Sequence, residues 1–194
     1  MEILKYIYKN IEFIFNYYPI QNMAIKIKNI LGIRYIKTNY KIINFEKNRI
    51  MFELCDLCKN DYYSNYFYLL KQLTTINPNN INYTTFCKFV EKLNKNHIIK
   101  IIKIKDSNKI VGSVTIFIEE KLIHNFGKVA HIEDLVVDKS MRGHGLGKKL
   151  LQIAETECKD CYKVILDCNK ENIIFYEKCG YELKGTQMAK YTIL

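Results

Sequence analysis

The residues with the plainest chemical purpose are Arg142-Gly143-His144-Gly145-Leu146-Gly147. This run follows an apolar, β-branched stretch, Val129 to Val137, and leads into Leu146 to Cys158, an amphipathic stretch that reads as a helix. A strand feeding a glycine-rich turn that opens a helix is an anion site, because the unpaired amides of the first helical turn point at the ligand along the positive end of the dipole. Two phosphate ligands are disfavoured by spacing. A Walker A loop needs five steps between its glycines and a hydroxyl after the lysine, whereas Gly143 and Gly147 are four apart and Lys149 stands where Ser or Thr belongs. The dinucleotide fingerprint fails because Gly143, Gly145 and Gly147 are spaced two and two.

Arg142, Gly145 and Gly147 fit the [RQ]-x-x-G-x-[GA] loop of the GCN5-related N-acetyltransferase (GNAT) superfamily. Glu171-Asn172-Ile173-Ile174-Phe175-Tyr176-Glu177-Lys178-Cys179-Gly180-Tyr181 resembles that family's N-x-x-x-[FY]-Y-x-x-x-G-[FY] ending. The resemblance implies an α/β fold with a mixed, mostly antiparallel central sheet flanked by helices, and acetyl-CoA as cosubstrate with no metal. Three further segments, His131 to Val137, Cys161 to Cys168 and Phe175 to Gly180, are similar to the glucosamine-6-phosphate N-acetyltransferases of that superfamily, over roughly residues 50 to 194. The reaction so implied is acetyl transfer to the amine of glucosamine 6-phosphate, giving N-acetylglucosamine 6-phosphate and CoA, a step toward UDP-N-acetylglucosamine.

Carried over by position, the resemblance implies that Leu135, Val136 and Val137 hold acetyl-CoA together with Arg142, Gly143, His144, Gly145, Leu146 and Gly147. Asp167 falls at the same site and Asn172 beside the pantetheine arm. Thr74, Lys121, Leu122, Ile123, His124, Glu133, Asp134, Leu135, Tyr162 and Lys163 fall where the family holds the sugar phosphate. The family's last sugar-binding residue is an arginine, supplied in some members across a dimer interface; Lys190 stands in its place here, a point charge without the bidentate fork. A homodimer is implied, with the strand from Gly185 to Leu194 suited to pairing across the interface.

The side chains permit this reaction. An amine must lose its proton before attacking a thioester, and Glu133 or Asp134 could relay that proton through water. The amide of Val136 could donate to the carbonyl oxygen as charge develops there, and the Tyr176 phenol could protonate the departing thiolate. Adjacent residues on a regular strand face opposite sides, so Glu133 and Asp134 are expected not to share one pocket. Bland readings stand beside these: Tyr176 as packed aromatic, Lys121 and Lys163 as solvated lysines, His124 as a loop histidine.

The elements that must position these groups begin at Ile50. A strand is expected at Ile50 to Leu54, a helix from about Asp61 to Leu73, a break at Asn77-Pro78-Asn79-Asn80, and a helix from Tyr83 to Leu93. His97 to Lys105 and Lys109 to Glu119 form a hairpin around Asp106-Ser107-Asn108. After the loop and its helix, with Leu146, Leu150, Leu151 and Ile153 inward, come a strand at Tyr162 to Cys168, a short helix at Glu171 to Lys178 and a last strand at Tyr181 to Tyr191. Residues 1–49, rich in Ile, Lys, Asn and Tyr without clean period, read as an extension, disordered or targeting, to a 50–194 catalytic domain.

At 194 residues, 48% of them hydrophobic, the chain can bury one sizeable core. The net charge of +10 is spread over single lysines among residues with A+T-rich codons, with no basic helix or stacking motif, so no nucleic-acid partner is expected. Seven cysteines without a secretory signal read as reduced thiols of a cytoplasmic protein. The pairs Cys55/Cys58 and Cys158/Cys161 lie too far apart in sequence for a zinc ribbon. No stretch approaches the twenty apolar residues of a membrane span. Two rival readings remain: an acetyltransferase of the same fold acting on protein or polyamine amines, or a non-catalytic acetyl-CoA-binding module. Turnover with a peptide acceptor would mark the first, and cofactor binding without turnover the second.

Overall fold

The computed structural model describes residues 43–47 and 49–192. Its centre is a six-stranded sheet in chain order: β1 (Ile43–Lys47), β2 (Ile50–Asp56), β3 (His97–Ile104), β4 (Lys109–Glu120), β5 (Lys128–Val137) and β6 (Lys163–Leu166). The first five strands pair antiparallel and β6 runs parallel to β5, so the sheet is mixed and mostly antiparallel, as expected. The parallel step needs a crossover, and the glycine loop with its helix supplies it. Of the extension expected over residues 1–49, residues 1–42 and 48 lie outside the described residues, whereas Ile43–Lys47 are the edge strand β1, in register with β2 from Ile43↔Leu54 to Lys47↔Ile50.

Helices cover both faces. On one side lie α1 (Tyr66–Leu70) and α2 (Tyr83–Val90); on the other lies α3 (Leu146–Glu157). Strand alternation sorts the core accordingly: Phe52, Leu54, Ile102, Ile116 and Ile132 face α3, while Cys55, Ile99, Ile101 and Val136 face α1 and α2. Cys55 and Cys158 thus lie in cores on opposite sides of the sheet, so the two Cys-x-x-Cys pairs cannot converge on one metal. Leu146, Leu150, Leu151 and Ala154 are the buried stripe of α3; Ile153, expected inward, is only half-buried at its margin.

Two expected elements differ. The helix expected over Asp61 to Leu73 is divided into a 3-10 turn at Lys59–Tyr63 and the short α1, because Asn65 between them is left-handed at φ +51°. That residue is held there by both ends of its side chain: its amide nitrogen donates to the Ile110 carbonyl at 3.2 Å and its oxygen accepts from the Ile110 amide at 3.0 Å. The strand expected over Tyr181 to Tyr191 does not form. Residues 182–192 are exposed and irregular, with Met188 94% exposed. β6 pairs only with β5, so its other edge is free, but this segment does not add to that edge within the single chain.

Candidate active site

β5 and β6 pair only from Val129↔Lys163 to Ile132↔Leu166, although β5 continues to Val137. Beyond Ile132 its β6-side edge has no strand partner, and the two strands leave a cleft between them. Everything at the mouth of this cleft is set by one irregularity. Opposite β4, Thr115 pairs with Glu133 but Ser113 pairs with Val136, so two residues of β5 oppose one of β4. This is a β-bulge, and Asp134 adopts φ +50° within it. Its effect appears in the core: Ala130 and Ile132 face α3 before the bulge, whereas Leu135 and Val137 do so after it. Glu133 and Asp134, lying between, both avoid the α3 side. The sequence expectation that these two acids face opposite ways is therefore corrected by the bulge, which inserts one residue into the alternation.

The acids differ in surroundings. Burial pushes the Glu133 carboxyl up, and Asp134 and Asp167 push it further, with His131 opposing. Asp134 lines a cavity of about 380 Å³ between the sheet and the helices α1 and α2. The other walls are mainly apolar, including Phe67, Leu70, Ile81, Phe86 and Ile99, with no lysine or arginine among them.

The loop after β5 is rigidly founded. Asp138 caps the 3-10 turn Lys139–Met141, accepting from the Ser140 amide at 2.9 Å and the Ser140 hydroxyl at 2.6 Å, and pairs with Lys109 at 3.0 Å. Burial opposes its ionisation, but the Ser140 groups and Lys109 prevail and hold the carboxyl at about 2. Gln72, just past α1, accepts from the Lys139 amide at 2.9 Å and ties the α1 end to this turn. The sequence reading passed over both residues; Asp-x-Ser before the loop is the local signal for the first.

Gly143 and Gly145 then adopt φ +79° and +77°, which other residues reach only at a cost, and a Cβ on either would meet nothing within 4 Å. The loop thus presents bare backbone to open space. No side chain caps α3, whose N-cap is Gly145, so its first-turn amides are left for a ligand. A diphosphate suits such a cradle: anionic, oxygen-rich and able to approach a backbone without Cβ atoms. Gly147 has another reason, since its Cβ would stand 3.2 Å from the Phe175 ring, on α4 (Ile173–Glu177). This close approach seats the helix that carries Tyr176. The Tyr176 phenol is half-buried, and burial pushes its pKa up, with Cys168 and Cys179 adding to the rise. Arg142 points back to the Val137 carbonyl through Nε, at 3.4 Å, and His144 Nδ1 lies 3.1 Å from the Arg142 carbonyl. Asn172 is the N-cap of α4, and Asp167, at the end of β6, accepts from Gln187 Nε2 at 2.7 Å.

The remaining expected sugar-site residues form a second group. Lys121, Leu122, Ile123 and His124 make the turn between β4 and β5, and His124 packs on Tyr162 with ring centroids 4.3 Å apart. Gly127 permits that packing, because a Cβ there would be 2.8 Å from the Tyr162 ring. Lys163 opens β6 opposite Val129. Glu120 at the β4 end pairs with Lys128, five residues along β5 from Glu133. That separates the two groups by about 17 Å of backbone within one chain. Thr74 is exposed after α1, and Lys190 lies in the exposed segment 182–192.

Comparison with known proteins agrees with this architecture. The acetyltransferase (GNAT) family model matches residues 56–181. The chain is 50% identical over 97 residues to a glucosamine 6-phosphate N-acetyltransferase of Arabidopsis thaliana, which covers 49% of this chain and 65% of that protein, just under two thirds of its length. It is 41% identical over 134 residues to the protein of that name from Candida albicans (66% and 88%) and 35% identical over 136 residues to glucosamine 6-phosphate N-acetyltransferase 1 of Dictyostelium discoideum (68% and 85%). The crystal structure of the Arabidopsis thaliana enzyme superposes with a TM-score of 0.70 at 39% identity, covering 73% of this chain and 99% of that one. The chain belongs to the acetyltransferase (GNAT) family, on the branch of the glucosamine 6-phosphate N-acetyltransferases.

Proposed function

We propose that this chain transfers an acetyl group from acetyl-CoA to the amine of glucosamine 6-phosphate. The observation that carries the reading is the β5 bulge, which gathers Glu133 and Asp134 on one side of the strand at the mouth of a cleft whose floor is an uncapped glycine loop. The amides of Gly143 to Gly147 bind the pyrophosphate of the cofactor, which supplies an activated thioester carbonyl when bound. The amides of Leu135 and Val137, which alternate away from β4 into the stretch with no partner on the β6 side, offer a donor to the acyl oxygen, whereas the Val136 amide, expected in that role, faces Ser113 on β4. Glu133 and Asp134 hold the acceptor ammonium and take its proton; Glu133 suits the role because its raised proton affinity brings it nearer to an amine's. The Tyr176 phenol, kept protonated by its burial, donates to the departing sulfur.

The cavity beside Asp134 has no lysine or arginine and only His97 as a basic side chain, whereas the phosphate end of the acceptor wants cations. Lys121, His124 and Lys163 offer them, about 17 Å of backbone away. Two copies of the chain resolve this distance if each lends its cationic group, with Lys190, to the acid group of the other. The exposed segment 182–192 and the free edge of β6 favour such a homodimer, in which the segment gains the strand partner it lacks alone. Among the described residues no helix is long and apolar enough to cross a membrane, and a cytoplasmic location is proposed with the reaction.

The test is release of free CoA thiol from acetyl-CoA with glucosamine 6-phosphate, glucosamine or a lysine peptide as sole acceptor. Release with the phosphorylated sugar alone supports the assignment. Release with the peptide, or with none of them, overturns it. Sedimentation of a stable monomer at micromolar concentration would remove the shared site.

A further inference from the structure

Glu133 has a companion on its own strand that the reaction as proposed does not use. His131 is two residues earlier on β5, so its side chain leaves the same face of the sheet. Across the neighbouring strands its row is His97 on β3, Phe117 on β4, His131, then Ile165 on β6, while Glu133 stands in the next row with Thr115. The imidazole is not loose. Its Nε2 is 3.2 Å from Glu119 Oε2, a diagonal neighbour on β4, while Glu119 Oε1 is paired with Lys121 at 2.5 Å. Phe117 packs edge-on against the same ring with centroids 6.4 Å apart. Lys121, Glu119 and His131 thus form a polar track along this face, which ends one step of the strand alternation short of Glu133.

The charges around Glu133 show what such a track is for. Asp134 from its own strand and Asp167 from the end of β6 are both acids. Thr115, facing it from β4, is neutral. Lys163 shares the face on β6 but lies beside Val129, four residues of β5 away. His131 is the cation-forming group nearest along the strand, and it opposes the rise in Glu133's proton affinity. A carboxylate crowded by two others would otherwise hold its proton and lose its use as a base.

We propose that His131 is a positioning residue for amine deprotonation: clamped by Glu119 on the face it shares with Glu133, its ring supplies the positive charge that offsets the neighbouring Asp134 and Asp167. The inference rests on the reading of Glu133 as the acceptor-facing base. The sign follows. Activity that needs ionised Glu133 is lost as pH falls through its pKa, and removing the His131 charge raises that pKa, so the loss begins at higher pH. Two residues along a strand put the charges about 6.6 Å apart, which at a partly exposed site corresponds to a shift of about 0.5 to 1 pH unit.

The experiment is the pH profile of kcat/KM for glucosamine 6-phosphate in the full chain and its variants His131→Gln, His131→Lys, Glu119→Gln and Glu133→Gln. The acidic limb should move up by about 0.5 to 1 pH unit in His131→Gln, by less in Glu119→Gln, and return in His131→Lys, which restores charge without the ring. A His131→Gln limb that superimposes on the parent's, or a His131→Lys limb displaced as far as that of His131→Gln, overturns the proposal. Glu133→Gln separates the two readings. If it abolishes the acidic limb, the base assignment stands whatever His131 does; if it keeps the limb, both fall.

Discussion

Replacement of Gly145 by alanine isolates what the loop does from what it costs. At φ +77° a side chain is strained, and the left-handed conformation costs an L-residue about 1–2 kcal/mol. No clash adds to this, because the new Cβ meets no atom within 4 Å. For a domain of this size the penalty lowers the melting temperature by about 2–8 °C. The same open space is where the pyrophosphate must approach the amides of the first turn of α3. A methyl group there holds the phosphate off one or two charge-assisted hydrogen bonds, each worth about 1.5–3 kcal/mol, so CoA binding should weaken by about tenfold at the least and about 10⁴-fold at the most. Calorimetric titration with CoA, paired with a thermal melt of the unliganded protein, reads both quantities. Gly147→Ala should divide the effects differently, since its Cβ presses on Phe175 and disturbs the seat of Tyr176. A Gly145→Ala protein that melts a few degrees lower yet binds CoA as before would refute the cradle, and one that does not fold would refute the statement that the space is open.

Tyr176→Phe should lower kcat by about 10²- to 10⁴-fold while leaving CoA affinity unchanged, measured by turnover and titration. Lys190→Ala should raise KM for glucosamine 6-phosphate and leave that for acetyl-CoA alone; equal KM values would show that this lysine does not take the arginine's place. Because the Asp138 carboxyl is depressed from an ordinary 3.8 to about 2, its stabilisation is complete above about pH 4 and lost as pH falls toward 2. An acid melt of Asp138→Asn should therefore be flatter than the parent's across that window. Lys103→Met leaves Asp61, 1% exposed and paired with Lys103 at 2.6 Å, as an uncompensated buried charge. The expected loss is about 3–5 kcal/mol by denaturant unfolding, and a loss under 1 kcal/mol would show that Asp61 is satisfied through Cys58 alone.

Period and punctuation in the sequence located most of the frame. The β3–β4 hairpin, β5, α3 and the loop between them appear within a residue or two of where alternation, helical spacing and glycine placed them. These segments bury one face each, so pattern and structure obey the same constraint. The failures share a cause in long-range contact. Asn65 breaks a helical pattern because Ile110, 45 residues away, fixes its side chain at both ends. β1 looks like an extension because an edge strand needs only one good face, and its alternation is drowned in the Ile- and Lys-rich run before it. The segment from Tyr181 carries strand-like residues but does not join the free edge of β6 within this chain. The acids of the site were legible by type and position, but their shared orientation was not, because nothing in Ile132-Glu133-Asp134-Leu135 announces a bulge.

That bulge makes β5 a counting device. Every position from Lys128 to Ile132 is read in one parity and every position from Leu135 to Val137 in the other, with Asp134 as the point where the count changes. Deleting Glu133 or Asp134 would restore a regular ladder and keep Leu135 and Val137 in the α3 core, because the two acids together fill one place in the alternation. Losing a residue elsewhere in the strand leaves the bulge in place and exchanges inside for outside along one end. A library of single-residue deletions through β5 should therefore show loss of folded protein on either side of the bulge, and folded but inactive protein at Glu133 and Asp134 themselves.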